Sequence, residues 1–233
     1  MNDIAEKIKI MNYSKLSLIT VFLVLVIGCE PPVVFTEIQP HGFKPLNSFS
    51  VLYQGAYRCE SDSSIVHINR NTVYKEKEYP FTLNRFAIDT MPDVVLEDDE
   101  LFIPSKQLRL SATFEGDSIY SKMILRDTIF TISEDQVLTR FKGHHILNFK
   151  MKENKWEIAI LSLDDNANII LSITALPEDL ERLKEITPVK DISRGDTIQY
   201  ELSPTIYEFH QILKEELIFQ SCDYYERVYP SII

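Results

Sequence analysis

Cysteines, histidines and one run of alternating oxygen donors are the residues of this chain with chemistry to offer. Cys59 and Cys222 both fall in alternating apolar segments that read as strands. In an exported protein they are the candidate pair for a disulfide, which would tie the first strand of the folded body to the last. The competing reading makes each a small buried apolar side chain with no covalent partner. No Cys-x-x-Cys spacing occurs, so dithiol redox chemistry and zinc-ribbon ligation lack their ligand pairs. Asp164-Asp165-Asn166-Ala167-Asn168 opens like a calcium loop, but Ile169 stands where that loop needs glycine and Ala175 where it needs a bidentate glutamate. It reads as a polar hairpin turn. His144 and His145 are adjacent, which on a strand sends them to opposite faces, and His41, His67 and His210 are isolated. With no His-x-His or His-Glu-x-x-His spacing, no Gly-x-Ser-x-Gly elbow and no phosphate or dinucleotide loop, the sequence predicts no metal, no cofactor and no catalytic residue.

The third cysteine has different neighbours. Lys15 precedes the apolar run Leu16 to Ile27, twelve residues against the roughly 20 that a lasting membrane span needs. The run reads as the hydrophobic region of a secretory signal. It ends in Val26-Ile27-Gly28-Cys29, and here the chain resembles bacterial lipoprotein precursors with their lipobox. The resemblance implies cleavage between Gly28 and Cys29, a thioether-linked diacylglyceryl group on Cys29, and acylation of the freed amine. An uncleaved anchor with an incidental cysteine is the alternative, opposed by the short run and its Gly-Cys-Glu-Pro-Pro ending. Met11-Asn12-Tyr13-Ser14-Lys15 would by itself begin a signal of ordinary length, so either Met1 or Met11 is the start.

Charge bears on partners. Lys and Arg number 24 against 35 Asp and Glu, a formal net charge of −11, which argues against nucleic-acid binding. Loss of residues 1–28 removes three lysines and two acids and leaves the remainder one unit more negative. An acidic body is repelled by anionic lipid, so the expected membrane attachment comes through the covalent lipid, where two or three acyl chains make release rare.

Prolines 31, 32, 40 and 45 mark residues 29–48 as the lipidated cysteine and an extended tether, reaching at most about 60 Å. Val33, Val34, Phe35 and Ile38 are apolar for a free linker, so part of it is expected to dock as an edge strand. Residues 49–233 read as a single β-rich globular domain. To about Thr174 the pattern alternates and is rich in Ile, Val, Phe, Tyr and Thr. Ser64–Tyr74 aligns without gaps on Thr128–Leu138, each reading as a hairpin, and Ile160–Ile173 is a looser third case. The order of hairpins and glycine entries differs between the halves, so recurrent hairpin chemistry is preferred to duplication. Pro177–Ile186 and a segment capped by Ser203, with Ile206, Phe209, Leu213 and Leu217 as its stripe, read as helices, and Phe219–Val228 as a final strand. The predicted fold is therefore mainly β: an antiparallel meander of roughly ten strands, barrel-like or a sandwich, with two C-terminal amphipathic helices.

Cys29-Glu30-Pro31-Pro32-Val33, Gln39-Pro40, Gln54-Gly55-Ala56-Tyr57 and the later Ile132-Ser133-Glu134-Asp135 and Phe141-Lys142-Gly143 resemble a group of small Bacteroidetes-type envelope lipoproteins. That resemblance implies an outer-membrane location and carries no activity with it. Two functions are expected to compete. One is a non-enzymatic envelope lipoprotein that binds a partner protein or envelope component. The other is a lipocalin-like carrier of a small apolar ligand, suggested by the Gly-x-Tyr entry into the strands and the late helix.

Overall fold

A computed structural model describes residues 30–229. The signal segment, Gly28 and Cys29 lie outside the described residues. The described chain is mainly β, fifteen strands in one large mixed sheet that is not closed, so the barrel-like alternative is not realised. Its hydrogen-bonded path runs through residues 189–191, 200–202, 33–35, 156–163, 169–174, 219–228, 55–59, 65–68, 72–84, 118–131, 108–115, 100–103 and 95–97, with 144–150 and then 136–141 branching from 156–163.

The centre is built from β9 (Gln136–Phe141), β10 (His144–Lys150), β11 (Trp156–Leu163) and β12 (Ile169–Thr174). Side chains of a strand alternate between faces, and here both faces are covered, which is why β11 reads as a nearly continuous apolar run. Trp156, Ile158 and Ile160 join Val137, Phe141 and Ile146 beneath two helices, α2 (Leu180–Ile186) and α3 (Ile206–Lys214). Ala159 and Leu161 join Leu138 and Leu147 on the opposite face, against Phe49, Tyr53, Tyr57 and Phe130. β15 (Phe219–Val228) lies between β12 and β2 (Gly55–Cys59), so the last strand meets the first of the segment beyond Phe49.

The proline-rich segment does not hang free. Residues 33–35 form β1 (Val33–Phe35), which is fully packed and lies between β11 and a parallel neighbour, β14 (Tyr200–Leu202). It docks as an interior strand rather than an edge strand, because three consecutive apolar residues suit a position covered on both sides. β14 pairs in turn with β13 (Val189–Asp191). Beyond β1, the Gln39 amide donates to Asn148 Oδ1 at 2.7 Å, and Thr139 Oγ1 and Asn148 Nδ2 donate to the Gln39 carbonyl. All three residues are buried.

β3 (Ile65–Ile68) leads into the long pair β4 (Thr72–Asn84) and β8 (Ser118–Thr131), which pair along their whole lengths. Their far end carries α1 (Arg85–Ile88), β5 (Val95–Glu97), β6 (Glu100–Ile103) and β7 (Leu108–Glu115) around a separate small core of Ile88, Leu101, Leu110 and Ile119. The acidic run 97–100 is the tip of the β5–β6 hairpin, and Arg109 bridges Glu97 and Glu100.

Three details differ from the sequence reading. Ser64–Tyr74 is a β3–β4 hairpin, and Asp164–Asn168 turns β11 into β12, but Thr128–Leu138 is no hairpin. β8 pairs with β4 and β7 while β9 pairs with β10, so the polar turn there is a corner between two parts of the sheet. A polar turn reverses the chain without dictating which strand it pairs with. Secondly, α3 is capped by Thr205 rather than Ser203, because Thr205 and Glu208 form a reciprocal capping box. Thirdly, its buried residues are Phe209 and Ile212, and Ile206 stays exposed.

Candidate ligand-binding site

The sequence-selected residues do not assemble into one reactive site. Cys59 and Cys222 are both free, so no disulfide joins β2 to β15. The ladder places Cys59 opposite Tyr225, three residues from Cys222, and Cys222 is the extra residue of a bulge between Ser221 and Asp223. Cys59 Sγ instead contacts Ser61 Oγ and donates to Asp223 Oδ1 at 3.3 Å. Partial desolvation by its neighbours, and after it the charge of Asp223, pushes the exposed Cys222 thiol up, against ready thiolate chemistry. Asp164 spends its oxygens inside the turn: Oδ1 accepts from the amides of Asn166 and Asn168, and Oδ2 accepts from Tyr224 and Asn168 side chains. Among the described residues there is no cluster of three His, Cys, Asp or Glu placed to hold a metal ion.

The histidines scatter. His67 stacks on Tyr74 with centroids 4.7 Å apart and contacts Glu76. His41 contacts Glu37, and His144 contacts Ser162 at 2.6 Å. His145 is wholly buried beside Phe49 and Tyr53, with Nε2 accepting from the Ser50 amide and Nδ1 unpartnered. Burial foremost, and the charge of Arg140 after it, lower its pKa to about 4, so it is neutral and structural.

His210 belongs to a different arrangement. Three chain segments meet at one end of the helix-covered face and border a shallow, open cleft of about 580 Å³ lined by Phe43, Arg140, Phe141, Lys142, Ile206, Tyr207 and His210. Each segment is placed by local chemistry. Phe43 follows the buried Gln39 anchor and a turn in which its amide donates to Pro40 O, and its ring meets Phe141 edge-on at 5.4 Å. Lys142-Gly143 is the two-residue turn of the β9–β10 hairpin, flanked by the pair Phe141 and His144, with φ of 51° and 94°. Such turns need positive φ at both positions, which glycine supplies freely and which costs a lysine about 1 kcal/mol. Ile206 and Tyr207 form the first turn of α3, and His210 sits one turn further on, its ring edge-on to Phe141 at 6.0 Å.

The lining is mainly aromatic, with Lys142 at the turn; Arg140 alternates with Phe141 on β9, and its charge acts on His145 and Tyr53 on the other face. Tyr207 is 68% exposed and Phe43 40%. Neither Arg140 nor Lys142 takes part in an ion pair among the described residues. Glu208, the acid in the first turn of α3, is occupied by the Thr205 amide and the Thr187 hydroxyl. The lining brings together rings, the Lys142 ammonium and the His210 imidazole, with no carboxylate among the lining residues. Sequence reasoning passed over Phe43, Arg140, Lys142 and Tyr207. The available signals were a lysine in a turn that favours Asn or Gly, and a Thr205-x-x-Glu208 box that shifts Ile206 and Tyr207 to the helix start.

No family model, no curated protein and no solved structure matches the chain.

Proposed function

We propose that the protein is a lipid-anchored cell-envelope lipoprotein, attached through Cys29 to the outer membrane, that works as a non-enzymatic binding module. The anchoring half of the reading rests on Val26-Ile27-Gly28-Cys29 behind a twelve-residue apolar run. The binding half rests on the open cleft of about 580 Å³ between Phe43, the β9–β10 turn and α3, with its aromatic walls.

The lipocalin-like alternative is not favoured. The sheet is open, and the side where a carrier would hold its apolar ligand is filled by Phe49, Tyr53, Tyr57, Phe130, Leu138 and Leu147. The reading adds two C-terminal amphipathic helices laid on one face of a meander as the scaffold of the cleft. The buried β1 and Gln39 contacts keep that scaffold within a few residues of the anchor.

The anchor is tested by expressing the wild-type chain and Cys29→Ala in a bacterial host fed a labelled fatty acid. The wild-type protein is expected to carry label and partition into detergent. Equal partitioning of the unlabelled variant would overturn lipid anchoring.

A further inference from the structure

Resting on the reading of Cys29 as the lipid-bearing residue, we propose that the tip of the β13–β14 hairpin lies in the phospholipid headgroup layer, held there by a connection too short to let the folded body stand off the membrane. The chain is already fixed to the body at Pro31. Pro31 is buried, its carbonyl accepts from Gln199 Nε2 at 2.8 Å, and the Pro32 carbonyl accepts from the Tyr200 amide at 2.9 Å. The parallel register of β1 on β14 continues from there through Val33, Val34 and Phe35. Only Glu30 thus stands between the expected lipid attachment and a packed position. An extended chain covers at most about 3.6 Å per residue, so the Cys29 Cα lies within about 7 Å of that of Pro31. The headgroup layer is itself about 5–8 Å deep, and acyl chains rooted in the hydrocarbon core hold the cysteine at its inner boundary.

Beside Pro31 stands the hairpin tip. β13 and β14 keep one register from Val189 opposite Leu202 to Arg194 opposite Thr197, where backbone bonds of 3.0 Å in both directions close the turn at Gly195 and Asp196. Because β1 runs parallel to β14, residues 30–32 leave the body at this same end. Alternation puts Ile198 on the face of Tyr200 and Leu202. Leu202 is fully buried in the core under the helices, whereas Ile198, past the edge of that core, is 51% exposed. The Arg194 side chain is 81% exposed, and its ion-pair partner, Glu153, is 3.9 Å away. An aliphatic side chain near an arginine suits the boundary between acyl chains and phosphates, which shelters the first from water and keeps the second charged and partnered. Glu30 and Asp196 are exposed at the same end, so the tip has no excess of positive charge and fits a zwitterionic phospholipid surface rather than an anionic one.

The experiment is fluorescence quenching on the full lipid-bearing protein, reconstituted into phosphatidylcholine–phosphatidylethanolamine vesicles with a nitroxide on a fraction of the headgroups. In a Cys222→Ser background, which leaves the buried Cys59 as the remaining native thiol of the described residues, a bimane label is placed at Ile198→Cys or at Thr197→Cys. The reference label is at Lys122→Cys on β8, eight strands along the sheet from β14. The labels at 197 and 198 are expected to be quenched several-fold more than the reference. A Gly/Ser insert of about 20 residues between Glu30 and Pro31, with an r.m.s. span of about 25 Å, is expected to bring them down to the reference level while the protein stays on the vesicles. Unfolding midpoints equal to wild type show that the variants fold, and the two label positions check each other. Quenching at 197 and 198 no greater than at 122, or unaltered by the insert, overturns the proposal. Where the protein is nevertheless retained on the vesicles, lipid anchoring stands and the orientation alone falls. A purified chain that carries no lipid and does not stay on the vesicles removes both.

Discussion

Gln39 and Asn148 bond to each other in both directions: the Gln39 amide donates to Asn148 Oδ1 at 2.7 Å, and Asn148 Nδ2 donates to the Gln39 carbonyl at 3.1 Å. One side chain thus bonds both backbone polar groups of the buried residue Gln39 and holds the proline-rich segment against β10. Asn148→Leu leaves the buried Gln39 amide without a partner, while the carbonyl keeps only Thr139 Oγ1. A stability loss of about 2–4 kcal/mol is expected in urea unfolding. A loss below 0.5 kcal/mol, on the order of an ordinary surface change, would show that the segment is only loosely attached.

The entry to β2 is fixed by an arginine from the last strand. Arg227 donates to the Gln54 carbonyl and lies over the Tyr57 ring at 5.2 Å, while Gly55 has φ +150° and a methyl group there would stand 3.1 Å from the guanidinium. Gly55→Ala is expected to cost about 1–3 kcal/mol through strain and displacement of Arg227. Arg227→Leu is expected to cost about 1–2 kcal/mol and to be non-additive with Gly55→Ala in a double-mutant cycle.

Acid sensitivity should start above the carboxylate range. His145 ionises at about 4 in the folded protein, and near 6.5 when unfolded. Between those values the unfolded chain takes up the proton and the folded one does not, so stability falls as pH falls through that window. His144, also lowered by burial, acts in the same direction. Urea midpoints should report a loss of about 2 kcal/mol between pH 7.5 and pH 5, most of it absent in His145→Phe.

The thiols should differ in access. Cys59 is buried and Cys222 exposed on its bulge. Maleimide labelling of the native protein is expected to modify Cys222 slowly and Cys59 only after unfolding, with no mobility shift on reduction. A reduction-sensitive shift with both thiols unlabelled would establish a bridge between the strands instead.

Much of the local structure was legible because it depends on local residue types. Alternation marked the strands, and Asp164–Asn168, read as a polar hairpin turn, joins β11 to β12. Strand pairing was less legible: Thr128–Leu138 has the composition of the genuine β3–β4 hairpin, yet Thr131 is committed to Thr72 of β4 and β9 to β10. The role of residues 33–35 depended on β14, some 165 positions later. The cleft was hidden for the same reason, since Phe43, Lys142 and Tyr207 are brought together by the burial of Gln39 and the packing of α3 and not by spacing in the chain.

The most direct measurement is native mass spectrometry of the protein extracted from its own membranes. A chain beginning at Cys29 with the added mass of its acyl groups is expected, together with a non-covalent adduct that is lost when Tyr207 in the cleft is changed to alanine. A chain that retains residues 1–28 without lipid, or a lipidated chain that carries no adduct even before the change, would contradict a lipid-anchored binding module.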